Sequence, residues 1–399
     1  MKKSRRDKII YILTIILAAV YIFTGNKIAN ANDIDYTLDS AIGNPIKVKV
    51  TQVLDDHYEE IVYDGYETDD QIVLFEAKIM SGYRKGELVT AIQSLDSMYA
   101  VQQRIVSPGD KVVIYLNQNA NASEIKYMFA EYHRVDFIIF LYVLFALLLV
   151  VLGRRQGMNT LISLTFTVAS IFYMFIPAVL NGVNIYSWSI STGIFITVVP
   201  LLINNGASKK SLAAMIGCSA GVCVSGILTV IATKLCNLTG LTTEDSMYLL
   251  FLNQENPIDL KAIIFAAIIF GAVGAVMDVA MSLSSSLAEL KEQVGHMTAA
   301  QITRSGMVVG RDIMGTMTDT LILAYIGSSL SVTLLLAAYN SHTPLLLFNS
   351  EMILVEMLQA VAGSLGILLT IPLTSIVCGL LYRSTDDENP KGKKKYTAE

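Results

Sequence analysis

Eight long apolar runs dominate this sequence and decide what it can fold into. They span residues 9–23, 137–152, 159–180, 187–203, 211–233, 262–283, 313–338 and 352–380. Such runs have about the length that a helix needs to cross a hydrocarbon core about 30 Å thick. Inside lipid, every backbone N–H and C=O must be satisfied within its own segment, so these runs must be helical. The pattern therefore predicts an α-helical polytopic membrane protein with about eight transmembrane helices.

The composition supports a membrane protein and excludes an ordinary soluble domain. Hydrophobic residues make up 53% and charged residues 16% of the chain, whereas soluble domains have roughly 45–50% apolar and about 25% charged residues. We expect the lipid bilayer to be the main partner of the chain and expect no nucleic-acid binding.

The basic residues are sorted by side. With eight crossings, all the following fall on one face of the membrane: Lys2, Lys3, Arg5, Arg6, Lys8, Arg154, Arg155, Lys209, Lys210, Arg304, Arg311, Lys391, Lys393, Lys394 and Lys395. Short basic loops mark the cytoplasmic side. Both termini are therefore predicted to be cytoplasmic.

Residues 33–134 lack a long apolar run and hold 17 Asp plus Glu against 9 Lys plus Arg. Segments 46–50, 60–63, 71–77, 88–91 and 112–115 resemble short strands separated by turn residues. The pattern predicts a small extracytoplasmic all-β domain after the first helix, an OB-like barrel or a sandwich. Residues 117–134 are polar with loosely helical spacing, and they are interpreted as a connector.

This layout predicts four parts. Residues 1–32 form an N-terminal transmembrane helix or signal anchor, 33–134 the external domain, 135–383 a seven-helix bundle and 384–399 a basic cytoplasmic tail. The first run also resembles a signal peptide with a cleavage site at residues 29–31. A retained helix is favoured, because the polar residues 25–27 separate the apolar run from that site.

Polar residues interrupt the sixth and seventh apolar runs at helical spacing. Those of the sixth are Gly271, Gly274, Asp278, Ser282, Ser285 and Glu289, and those of the seventh are Asp312, Gly315, Thr316, Asp319 and Thr320. Each set occupies one face of its helix, and the two faces are expected to lie in the inner half of the membrane, where they can meet. Because an intramembrane carboxylate suggests function, a proton or ion path is predicted along Asp278, Asp312, Asp319, Ser282, Thr316, Thr320 and Arg311.

Structural interpretations of the same residues stay open. Asp312 would then cap the start of its helix, Asp278 and Glu289 would reach cytoplasmic water, and Arg304 and Arg311 would neutralise a carboxylate as an ion pair.

Two further stripes lie in the fifth and eighth runs. Gly217, Gly221, Ser225 and Thr229 repeat every four residues and favour close helix packing. The same packing role is expected for Gly271, Gly274 and Gly315. In the eighth run, Glu356 and Gln359 lie toward the outer surface and are candidates for an outward path.

The sequence carries no sign of soluble-enzyme chemistry. No phosphate-binding glycine loop, zinc-protease motif or serine-hydrolase motif is present, so an enzyme is not expected. The cysteines, Cys218, Cys223, Cys236 and Cys378, form neither a Cys-x-x-Cys pair nor a Cys/His cluster. No metal site and no cofactor are predicted.

The polar segments 271–290 and 310–330 resemble the signature regions of the YibE/F family of bacterial membrane proteins. The layout of one helix, an external β-rich domain and a seven-helix remainder with Gly153-Arg154-Arg155-Gln156-Gly157 after the second run is also similar. The resemblance implies a multi-pass protein of the bacterial cell membrane. It also implies a homo- or hetero-oligomer, such as a complex with a shorter family member, and supplies neither catalytic residues nor a substrate.

Two functions follow as hypotheses. The first is an ion- or proton-coupled transporter or export component that uses the intramembrane aspartates. The alternative is a non-transporting scaffold or sensor whose external domain binds a partner or envelope component.

Overall fold

The computed structural model describes residues 5–30, 44–63, 66–95, 104–116, 127–251, 257–339 and 344–382. The chain divides into two compact units. One unit comprises residues 35–148, and the other comprises residues 1–34 together with 149–399. The predicted basic tail, 384–399, lies outside the described residues.

The smaller unit is built on five strands that close into a barrel in the order β1-β2-β3-β5-β4. The strands are β1 (Ile46–Tyr63), β2 (Tyr66–Ile79), β3 (Leu88–Leu95), β4 (Lys111–Leu116) and β5 (Tyr127–Tyr132). All pairs are antiparallel except β3 with β5. Because the barrel is closed, β1 pairs with both β2 and β4.

Side-chain alternation explains the barrel core. In β3 the burial pattern alternates along the strand, so that every second residue enters the interior. The core consists of Val48, Val50, Val73, Phe75, Ala77, Ile79, Val89, Ala91, Leu95, Val106, Val112 and Ile114. The buried Gln93 amide is satisfied, because it donates to the carbonyl of Arg104 at 3.0 Å and accepts from the N–H of Val106 at 2.9 Å.

Two predictions for this region need correction. Segments 46–50 and 60–63 belong to one strand, β1, that bends through register shifts near Val50 and Val53. Within the predicted connector 117–134, residues 127–132 form β5. β5 arises from pairing with β3 and β4, which local helical spacing does not reveal. Ala120 and Ile125, which suggested that spacing, lie outside the described residues.

The larger unit is helical. The helices of the chain are α1 (Arg5–Ala29), α2 (Val135–Ser170), α3 (Ile176–Leu180), α4 (Ile185–Asn205), α5 (Lys209–Leu235), α6 (Glu244–Phe251), α7 (Leu260–Val294), α8 (Ala299–Ser328), α9 (Leu330–Tyr339), α10 (Pro344–Asn349) and α11 (Glu351–Tyr382). A π-helical turn, Ile171–Phe175, joins α2 to α3.

Among the described residues, six helical segments are long and apolar enough to cross a membrane: Lys8–Ala29, Val135–Leu180, Ile185–Asn205, Lys209–Leu235, Leu260–Val294 and Glu351–Tyr382. Val135–Leu180 is 46 residues long and holds two of the eight apolar runs. The seventh run, 313–338, is divided between α8 and α9 by a break at Ser329. The membrane character is thus supported, while the count of eight stays a prediction.

The long α2 is interrupted at Arg154, whose φ of 48° and ψ of −123° are not helical. A Cβ on Gly157 would overlap the carbonyl oxygen of Leu149. In a straight helix, residues eight positions apart are separated by about 12 Å along the axis. The chain therefore folds back locally at the Gly153–Gly157 segment.

The N-terminal helix α1 packs within the helical unit. Its Tyr21 ring stacks on Phe195 of α4 with ring centroids 4.8 Å apart. The Tyr11 hydroxyl donates to the Asn159 side chain at 3.1 Å. The polar residues 25–27 continue the helix, and Asn26 donates to the carbonyl of Tyr173 at 2.5 Å. The apolar run and the polar residues beyond it therefore form one packed helix.

Candidate functional site

α7 presents one narrow exposed stripe that contains only small or polar residues through most of its length. Towards the bundle it buries Val276, Val279, Ala280, Leu283 and other apolar residues. Between Ala267 and Glu289, the exposed positions are Ala267, Gly274, Asp278, Ser282, Ser286 and Glu289. Val294, at the very end, is the one exposed large apolar side chain of α7, which is described throughout. This stripe differs from the surface of α2, which exposes large apolar residues such as Phe137 and Leu147.

α8 has the same two-sided character. Its buried side includes Ile302, Gly306, Gly310 and Leu321. A Cβ on Gly306 would overlap the Ser375 side chain of α11, and one on Gly310 would overlap Ile371. Close packing on α11 therefore fixes the rotation of α8. The exposed side holds Arg311, Asp312, Gly315, Thr316, Asp319 and Thr320. Unlike α7, α8 also exposes large apolar side chains on either side of this polar stretch, namely Val308, Leu323 and Ile326.

The start of α8 overturns one alternative. Thr298 caps this helix by accepting from the N–H of Gln301, and the Gln301 side chain accepts from the backbone N–H of Thr298. This reciprocal pair is a capping box. Asp312 lies more than three turns inside the helix, so the interpretation of Asp312 as an N-cap is wrong.

The acidic residues of α7 and α8 have no ion-pair partner in the described part of the chain. No hydrogen bond or salt bridge joins Asp278, Asp312 or Asp319 to Arg304, Arg311 or any other described residue. The expected contact between the two polar faces is therefore not made by these side chains. Neutralisation by Arg304 or Arg311 is likewise not seen among the described residues.

The hydroxyl groups on these faces are turned to their own helices. Thr316 donates to the carbonyl of Ile313 at 3.0 Å, and Thr320 donates to that of Thr316 at 2.7 Å. On α7, the carbonyl of Ser282 accepts from Ser286 at 2.9 Å. A threonine hydroxyl that has given its proton to the backbone keeps oxygen lone pairs that can face a cation. We refer to the exposed polar side chains of α7 and α8, from Gly274 to Glu289 and from Arg311 to Thr320, as the acidic face.

The glycines expected at helix contacts fall into two groups. A Cβ on Gly271 would overlap the Tyr325 hydroxyl of α8, so Gly271 admits that side chain between the helices. Gly274 and Gly315 have no atom within 4 Å of such a Cβ. Contacts within this chain therefore do not explain them, and both belong to the acidic face.

Gly217 and Gly221 of α5 lie against α11. A Cβ on Gly217 would overlap the Thr374 side chain, and one on Gly221 would overlap Thr370. Ser225 donates to the carbonyl of Ala362 at 2.9 Å. The stripe of small residues on α5 therefore packs against α11. The close helix packing was predicted from the sequence, but the partner helix was not.

Glu356 and Gln359, the candidates for an outward path, lie one turn apart on α11 and are part-buried. Glu356 is close to Ser329 and Tyr325, at the end of α8. The Tyr325 hydroxyl is buried without a hydrogen-bond partner in the described structure.

No group of three or more His, Cys, Asp or Glu residues that could hold a metal ion occurs among the described residues. All four cysteines are free, with Cys218 and Cys378 buried and Cys223 and Cys236 exposed.

Comparison with known proteins identifies the helical part of the chain. No curated protein and no solved structure matches it. A protein-family model described as YibE/F-like protein matches residues 141–384, which is more than half of the chain and includes the whole acidic face. The chain therefore belongs to the YibE/F-like family.

Proposed function

We propose that this protein is an ion- or proton-coupled membrane transporter or export component, and that the acidic face forms its ion path. The observation that carries the proposal is the exposure of Asp278, Asp312 and Asp319 on two consecutive helices without any ion-pair partner in the described chain. Charged side chains at membrane depth are costly, and they typically mark ion pathways and proton relays. Asp278 and Asp319 are the proposed sites of proton or cation binding.

The oxygens around these carboxylates suit the same role. Thr316 and Thr320 satisfy their own protons through backbone carbonyls, which leaves their oxygens available to a cation or to water. Ser282 lies one turn from Asp278 on the exposed stripe. A chain of carboxylates and hydroxyls on two helices is chemically able to relay a proton or a hydrated cation.

We further propose that a second copy of the chain covers the acidic face. Polar residues in membrane proteins face protein or a water-filled cavity and avoid lipid. The face carries both signs of charge, since Arg311 and the aspartates share it. In a two-fold interface, a contact from one residue of the first copy to a second residue of the other copy is repeated in the opposite direction. Arg311 of each copy would therefore face a carboxylate of the other. The open Gly274 and Gly315 allow close helix approach.

The test is ion flux into liposomes that contain the purified full chain, with a pH-sensitive dye inside and imposed proton, Na⁺ or K⁺ gradients. We expect Asp278→Asn and Asp319→Asn to abolish coupled flux while folding is retained. Glu292→Gln provides the matched control, because Glu292 is an exposed carboxylate at the end of α7 outside the acidic face. Unchanged flux in both aspartate variants would refute the path.

The second candidate is a scaffold or sensor that transports nothing and uses its barrel to bind a partner or envelope component. It is favoured by the β1–β2 hairpin, which exposes Tyr58 to 69% and Leu54 to 47%. Removing residues 33–134 separates the two functions. The deletion should leave flux intact if the bundle transports, whereas it should abolish all activity if the barrel is the working part.

A further inference from the structure

Three lysines face one another across three strands of the barrel. Lys49 on β1 is in register with Lys78 on β2 and with Lys111 on β4. Their strand neighbours, such as Val48, Val50 and Ala77, enter the core, so the lysines point outward. Like charges placed directly opposite each other destabilise a sheet. This row therefore opposes barrel stability unless an anion compensates for it.

The positive charge of one lysine of this row, Lys111, is compensated by a carboxylate of the same chain. The carboxylate of Asp136, at the start of α2, accepts from Lys47 at 3.0 Å and from Lys111 at 2.8 Å. Lys49 and Lys78 make no ion pair among the described residues, and neither does Lys85 in the loop after β2. Lys49, Lys78 and Lys85 are thus without an ion-pair partner in the described structure.

Two of the neighbouring acidic residues are paired with arginines. Glu87 pairs with Arg84 at 2.6 Å, and Asp110 pairs with Arg104 at 2.8 Å. Glu76, on the same face of β2 as Lys78, accepts only from neutral groups, the Thr51 hydroxyl at 3.2 Å and the Gln52 amide at 3.3 Å. Lys49, Lys78 and Lys85 therefore keep an excess of positive charge over this one unpaired carboxylate.

Lys49, Lys78 and Lys85 also line a cavity. Its volume is about 860 Å³, and its wall includes Thr51, Met80, Gly86 and Gly109 beside Lys49, Lys78 and Lys85. Gly86 and Gly109 have φ values of 94° and 98°, which favour glycine. No atom lies within 4 Å of a Cβ on Gly109. The cavity is therefore open at Gly109, and a multiply charged group can reach the lysines through this opening.

We propose that this cavity is a binding site for a phosphate-bearing anion with two or more charges. Lysine ammonium groups bind phosphate oxygens as point charges with three donors each. Three of them around one concave wall fit a ligand with several phosphate oxygens better than a single monovalent anion. The site lies on the barrel and is independent of the acidic face and of its proposed function.

The test is calorimetric titration of the detergent-solubilised full chain with two probes, tripolyphosphate and a short-chain phosphatidic acid. We expect binding of at least one probe and a loss of affinity of roughly tenfold or more for each lysine changed in Lys49→Gln, Lys78→Gln and Lys85→Gln. The matched control is Lys209→Gln with Lys291→Gln, two lysines of the helical unit. Their substitution should leave the affinity unchanged.

The two probes distinguish the source of the phosphate. Binding of tripolyphosphate indicates a soluble or polymeric phosphate, and binding of the phosphatidic acid alone indicates a lipid headgroup. The proposal is overturned if neither probe binds or if the triple lysine variant binds as tightly as the wild type. It is also overturned if chloride at equal ionic strength competes for the site as well as the probe itself does. Circular dichroism of each variant checks that the barrel stays folded.

Discussion

Gly217 of α5 and Thr374 of α11 lie so close together that a Cβ on the glycine would overlap the threonine side chain. The same is true of Gly221 and Thr370, one turn further along. We expect Gly217→Val and Gly221→Val each to lower the free energy of unfolding by about 1–3 kcal/mol, because extra carbons in a packed contact force the helices apart. Thermal unfolding of the purified protein in detergent measures the change.

Gly327→Ala is the control for this pair. Gly327 lies on α8 outside the acidic face, the space around a Cβ there is empty among the described residues, and alanine favours a helix over glycine by up to about 1 kcal/mol. The stability of this variant should be equal or slightly higher. An equal loss of stability in Gly327→Ala and Gly217→Val would contradict the proposed role of the α5–α11 contact.

Cysteine cross-linking tests the covering of the acidic face by a second copy. With Cys223 and Cys236 replaced by serine, Thr316→Cys should form a disulfide-linked dimer under mild oxidation, because equivalent residues near a two-fold axis approach each other. The readout is a dimer band on non-reducing gels of membranes. Ile227→Cys, on the exposed side of α5, is the control that should stay monomeric, and a monomeric Thr316→Cys would rule out this interface geometry.

The loop after β2 should contribute a pH-dependent part of the stability of the barrel. Hydrogen bonds from Arg84 hold the pKa of Glu87 below its usual value of 4.5. A lowered pKa in the folded state means that this stabilisation is present above about pH 4.5 and is lost as the pH falls through the folded value. Glu87→Gln should therefore remove that component, so that the unfolding midpoints of variant and wild type converge as the pH falls through the folded-state pKa of Glu87.

Hydrogen exchange at residues 80–95, measured at several pH values, locates the effect. Arg84 also bonds to the Tyr127 hydroxyl of β5, so protection of β5 should follow the same pH dependence. If the difference in hydrogen-exchange protection between variant and wild type is the same at every pH, the Arg84–Glu87 pair is not the titrating element.

Gln93→Leu should weaken the barrel. The substitution leaves the buried N–H of Val106 without its partner, whereas the carbonyl of Arg104 keeps the hydroxyl of Tyr132 as a donor. One unpaired buried group costs about 1–3 kcal/mol. Denaturant unfolding followed by circular dichroism measures the loss. Gln52→Leu, at an exposed position of β1, should change the stability by less than about 0.5 kcal/mol, so equal losses in the two variants would exclude the proposed role of the buried amide.

Local periodicity explains which parts of the fold were predictable. The four-residue spacing of Gly274, Asp278 and Ser282 predicted one face of a helix, and α7 exposes all three. Alternation predicted the strands around Val73 and Val89, which enter the barrel core. In both cases one element alone contains the whole signal.

Pairing between distant segments explains what was missed. β5 gains its structure from β3 and β4, and the α5–α11 contact joins residues more than 130 positions apart. Likewise, nothing local distinguishes Gly271, which admits Tyr325, from Gly274, whose surroundings are open. Only the rotation of α8 against α11 separates these two roles.

The stacking of Tyr21 on Phe195 has a consequence for biosynthesis. The two rings are more than 170 residues apart, and domains generally form in order from the N-terminus during synthesis. After α1 leaves the ribosome, the strands of the barrel and the whole of α2 must be made before α4 exists. α1 therefore has to persist without its final neighbour, and formation of the first helix and closure of the bundle become two events separated in time.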